Sequence, residues 1–173
     1  MAVGVREHRP ERSLPPSPLT TYGGAVVDEG SRVSHKDLIR RFVAEIPNQG
    51  NVAAIGDYLD PGYVLHFPQF PVVAGAEPFQ RVPEAMKTAF PDLRETIEDL
   101  LEDGDRVVER LTLHGTHLGD FMGIAPTGRE VTWSAIAIYR IANNKIIENW
   151  VEANLLGLLI QLGVLAAPAP LLD

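Results

Sequence analysis

KIIENWVEANLLGLLIQLG, Lys145 to Gly163, decides how this chain is read. Its first half alternates polar and apolar residues, and its second half is an apolar run closed by glycine. A strand therefore runs straight into a short helix. Side chains on a strand alternate faces with period 2. Glu148, Trp150, Glu152 and Asn154 share one face, and Ile147, Asn149, Val151 and Ala153 the other. Carboxylates interleaved with an indole suit a pocket that does proton chemistry better than a plain core, because an unpaired ionised carboxylate is costly to bury.

Upstream of this stretch the pattern stays extended. Val131 to Ile141 reads as a strand, and Asn143-Asn144 as the turn that leads into Lys145. Leu93 to Leu101 and Arg106 to Thr116 read as two more strands, joined by the hairpin signal Glu102-Asp103-Gly104-Asp105. His117 to Arg129 is a Gly/Pro-containing loop. The first half has helical spacing instead. Ser34 can cap a helix with Asp37 at its third position, and Leu38, Ile39, Phe42, Val43 and Ile46 follow one face. Pro47 and Asn48 to Asn51 end it. A short helix fits Val52 to Leu59, a strand Tyr63 to Phe67, and a helix Glu77 to Phe90 with Pro83 inside it. Helices first and antiparallel strands after them predict an α+β fold, with a curved, mostly antiparallel sheet over N-terminal helices.

Residues 1–30 hold Pro10, Pro15, Pro16 and Pro18 with few large apolar side chains, and are expected to form a flexible arm. Residues 34–163 form the domain and 164–173 a tail. The chain has 173 residues, 45% of them apolar, enough for one domain with a substantial core. A net charge of −8 disfavours nucleic acid and anionic membrane as partners. No apolar run reaches the roughly 20 residues of a membrane span. The N-terminus lacks the apolar segment of a signal peptide, so a cytoplasmic location is expected. The absence of cysteine excludes disulfides, thiolate metal sites and cysteine nucleophiles.

Nucleotide, nucleophile-elbow and zinc-helix motifs are missing. His114 and His117 are close in sequence but point to opposite faces of a strand, so no metal is expected. Arg110, Thr112, His114 and Thr116 form the polar face of their strand. Val107, Glu109, Leu111, Leu113 and Gly115 form the mostly apolar one, which suits a core. The polar face of an antiparallel sheet is usually solvated; the other reading has His114 and Arg110 orienting a substrate carbonyl. Glu152, between Trp150 and Asn154, is placed to act as a general acid/base, the bland reading being an exposed edge charge.

The strings GTHLGDFMGIAPTGREV (Gly115 to Val131), KIIENW and LLGLLIQLG, with RRFVAEIPNQGN (Arg40 to Asn51) and DPGYVLHFP (Asp60 to Pro68), resemble the SnoaL-like polyketide cyclases of the ketosteroid-isomerase-like α+β cone superfamily. The resemblance implies a cone-shaped pocket and a cofactor-free intramolecular aldol closure of a polyketide ring. It also implies a small hydrophobic substrate and a homodimer. In relatives an aspartate four residues after the tryptophan is the acid/base, and here that position is Asn154. Glu152 is the nearest replacement, and Glu152→Gln is then expected to lower turnover at least about 100-fold. Asn154 and His114 are expected as hydrogen-bond donors. Trp150, Trp133, Tyr58, Phe67 and Met122 are expected as pocket walls, with His66 at the mouth and Arg110 and Glu148 as further substrate-binding residues. The Trp-x-carboxylate spacing also resembles cone-fold epoxide hydrolases. An epoxide-opening cyclase, a hydrolase or isomerase, and a non-catalytic binding protein of the same fold are the alternatives.

Overall fold

The computed structural model describes residues 34–169. The expected arm, and the last four residues of the expected tail (170–173), lie outside them. Helix α1 (His35–Val43) is capped by the Ser34 side chain, which accepts from the Lys36 amide. It buries Leu38, Ile39, Phe42 and Val43, each contributing about 1.5–3 kcal/mol on burial. Pro47 does not simply stop the helix. The chain widens into a π-turn over Ala44–Asn48. A 3₁₀ turn (Val52–Ala54) and α2 (Ile55–Tyr58) follow, then strands β1 (Leu59–His66) and β2 (Val73–Ala74). The helix expected over Glu77 to Phe90 is two pieces, α3 (Ala76–Phe79) and α4 (Arg81–Ala89). Pro83 sits in the first turn of α4, where its missing N–H is harmless.

Strands β3 (Arg94–Asp103), β4 (Arg106–Thr116), β5 (Glu130–Ala142) and β6 (Lys145–Ala153) form antiparallel hairpins, and α5 (Leu155–Leu162) closes the domain. Asn143 and Asn144 both take positive φ (50° and 61°), as a two-residue hairpin turn requires. The sheet order is β2-β1-β6-β5-β4-β3, with β1 parallel to β6. This is the expected α+β cone, a curved sheet with its concave face against the helices.

Burial alternates along the long strands. On β5, Val131, Trp133, Ala135, Ala137, Tyr139 and Ile141 face inward. On β6 the inward residues are Ile146, Asn149, Val151 and Ala153. Ile141 pairs with Ile146 while Arg140 pairs with Glu148, so Ile147 is an extra residue, a β-bulge. Glu148, Trp150 and Glu152 therefore stand on the outer face of the sheet. This corrects the expectation that they face the interior cavity.

Candidate active site

A cavity of about 220 Å³ lies between the concave face and the helices. Its walls are mostly apolar: Phe42 and Ile46 on one side, Met86 on another, and Leu111, Trp133 and Ala137 across the sheet. Three polar side chains line it, Glu95, Tyr139 and Asn149. Glu109 stands beside Glu95 and Tyr139, fully buried.

Glu95 is held by an unusual anchor. It is the second residue of an edge strand, whose outward backbone groups have no neighbouring strand. The Asn48 side chain supplies them: its amide donates to the Glu95 carbonyl at 2.9 Å, and its Oδ1 accepts from the Glu95 amide at 2.7 Å. Lys87 Nζ in turn donates to the carbonyls of Asn48 and Leu93. Its burial there lowers the lysine below its ordinary range. The π-turn thus sets the position of a carboxyl on the cavity wall.

The two carboxyls act as a pair. Tyr139 donates to Glu109 Oε2 at 2.8 Å, while Glu109 Oε1 is buried without a hydrogen-bond partner. Desolvation, then the charge of Glu109, push Glu95 well above the usual carboxylate range. Desolvation also raises Glu109, to about 7, against the hydrogen bonds from Tyr139 and Glu95 that lower it. Two coupled carboxyls in an apolar setting resist ionising together, and Glu95, the more strongly raised, is the one that holds its proton. Burial and the Glu109 charge likewise hold Tyr139 well above its ordinary value. The Asn149 amide stands against Tyr63, whose hydroxyl burial pushes far up, and Asn149 Oδ1 is buried without a partner. The cavity wall therefore offers one titratable carboxyl, Glu95, backed by a second.

Of the residues expected from sequence, Trp133 and Phe67 line this cavity. Tyr58 is buried behind the wall, where its hydroxyl donates to Glu45; burial and that bond push it to about 12. His114 is exposed on the outer face, and Arg110 pairs there with Asp99. Glu148 binds Arg140 at 2.6 Å and His66 at 2.9 Å on the same face. Met122 is exposed on the loop between β4 and β5. Asn154 caps α5, its Oδ1 accepting from the Gly157 amide at 2.9 Å. His66, Trp150 and Glu152 meet in a separate groove of about 270 Å³ at the end of β1. Glu109 and Asn149 carried a signal in the sequence, a polar residue on an otherwise apolar strand face; Glu95 carried none. Among the described residues no group of three His, Asp or Glu is arranged to hold a metal, and no helix is long and apolar enough to cross a membrane.

The family model described as SnoaL-like polyketide cyclase matches residues 37–162. The chain is 32% identical over 133 residues to aklanonic acid methyl ester cyclase DnrD of Streptomyces peucetius, covering 73% of this chain and 89% of that one. It is 32% identical over 134 residues to the cyclase of that name, DauD, from Streptomyces sp. strain C5, covering 73% and 80%. Among solved structures, TsrD of Streptomyces laurentii superposes with a TM-score of 0.70 at 31% identity, covering 78% of this chain and 98% of that one.

Proposed function

This chain belongs to the SnoaL-like polyketide cyclase family, and on that premise we propose that it closes a carbon ring on a neutral polyketide inside the cavity, with Glu95 moving the proton. The carrying observation is the carboxyl pair: Glu95 on the cavity wall, with Glu109 buried behind it and bound to Tyr139. At rest Glu95 holds the proton and Glu109 accepts from it; once that proton passes to Glu109, the Glu95 carboxylate takes a proton from the carbon between two substrate carbonyls. The resulting enolate attacks a ketone held close in the same cavity, a proximity effect able to supply several kcal/mol. The alkoxide formed then takes the proton back from Glu95, so the pair ends as it began. Tyr139 steadies the charge on Glu109.

The curated relatives are aklanonic acid methyl ester cyclases, and the substrate proposed here is of that class. Ring closure of this kind is an isomerisation. Purified protein incubated with aklanonic acid methyl ester should convert it to a product of unchanged mass and altered chromatographic retention. Glu95→Gln should lower the rate at least about 100-fold, the size expected for a lost general acid/base. Turnover within a few-fold of wild type in that variant would remove Glu95 from the mechanism. A homodimer and a cytoplasmic location are part of the proposal; molar mass in solution by light scattering and cell fractionation test them.

A further inference from the structure

The outer groove and the inner cavity share two walls, Phe67 and Val151. The chain path explains why. The last β1–β6 pair is His66 with Trp150, whereas β6 runs on to Ala153. From Val151 onward β6 has no β1 partner, and Phe67 stands at the gap. The strap that follows is lightly held. Phe70 stacks on Phe67 with centroids 5.0 Å apart, and the Phe70 amide donates to the Phe67 carbonyl at 2.9 Å. Phe70 and Val72 remain 40% and 59% exposed.

Size gives the gap a use. The inner cavity, about 220 Å³, is below the roughly 300–1,000 Å³ that hold a drug-sized ligand. The groove adds about 270 Å³ on the other side of Phe67 and Val151. Its surface is flat and aromatic: Trp150 and His66 stack within 8° of parallel, and Glu152 lies at the rim as a hydrogen-bond acceptor. We infer that the groove is the outer half of the substrate site, taking the far rings of a flat, hydroxylated polycyclic ligand whose reacting end lies in the cavity. Offset stacking recognises the rings, Glu152 accepts from a phenolic hydroxyl, and Phe67 swings aside to join the two spaces. This rests on the reading of the inner cavity as the reaction chamber.

Two probes test it by calorimetry on the full chain: dihydroxynaphthalene, with two rings, and dihydroxynaphthacenequinone, with four. Val72→Glu places a charge in the groove at an exposed position, and Phe70→Ala removes one stacking face. Both variants should weaken the four-ring probe about tenfold and leave the two-ring probe within about twofold, because only the longer probe reaches the groove from the chamber. Equal weakening of both probes, or no change in either, overturns the outer subsite while leaving the inner chamber standing. If the two-ring probe fails to bind the wild-type protein, or binds it and Glu95→Gln with no difference in pH dependence, the reading of the chamber fails first and this inference with it.

Discussion

Glu109 touches no substrate in the proposed mechanism, so its effect must appear through Glu95. With Glu109 raised to about 7, the pair loses its last mobile proton only above neutrality, and gains a second below it. The rate should fall on acidification through about pH 7, as the carboxylate form of the pair disappears. Glu109→Gln removes one partner, and with it the charge that adds to burial in keeping Glu95 high. The acidic limb in a pH–rate profile should then move to lower pH. Glu152→Gln should leave the limb where it was, and a limb that moves with Glu152 instead would return the acid/base role to the outer face. His114→Ala, at an exposed site outside both spaces, should turn over at close to the wild-type rate. Both inner polar residues on β4 and β6 were visible in the sequence as exceptions on apolar faces. A carboxylate beside an indole drew the sequence reading to the opposite face, although apolar faces are the ones that turn inward. Glu95 was not legible, because its place depends on Asn48, 47 residues earlier.

At the scale of elements, the sequence showed the helices and the four long strands, because periodicity reports them directly. It did not show the parallel pairing of β1 to β6, which depends on side chains far apart in sequence. That pairing is fastened on the outer face by Glu148, which binds His66 of β1 and Arg140 of β5. The hydrogen bond to His66, then that to Arg140, holds the Glu148 carboxyl below its ordinary value. A lowered carboxyl contributes stability above its unfolded value and loses it as pH falls through the folded one. Glu148→Gln should therefore cost about 1 kcal/mol near neutral pH, and the difference should vanish in acid. Equal loss at both pH values in chemical denaturation would mean that charge is not the cause. The loop from His117 to Arg129 is docked by a different device. Leu118 and Gly119 amides donate to the Ala89 carbonyl at the end of α4. A Cβ on Gly119 would collide with the Thr88 carbonyl, which is backbone and cannot swing away. Gly119→Ala should cost about 1–3 kcal/mol as overpacking, read as a lowered unfolding midpoint.

For the whole molecule, the two sets of carboxyls act in opposite directions with pH. Glu148 weakens the fold on acidification, and the buried pair weakens it on alkalinisation. A carboxyl raised in the folded state binds its proton more tightly there than in the unfolded chain. Its contribution is complete below the unfolded value and is lost as pH rises to the folded one. For Glu109 that window runs from 4.5 to about 7, a loss on the order of 3 kcal/mol at about 1.4 kcal/mol per pH unit. A carboxyl buried behind an apolar wall is thus held at the expense of stability. The prediction is specific to the pair: Glu109→Gln cannot ionise, so its stability should match wild type near pH 4 and exceed it increasingly up to about pH 7. Urea unfolding of both proteins across that range measures the difference directly. Parallel curves would mean that Glu109 ionises as freely in the folded protein as in the unfolded chain, and the coupled pair would then be lost as the basis of the mechanism.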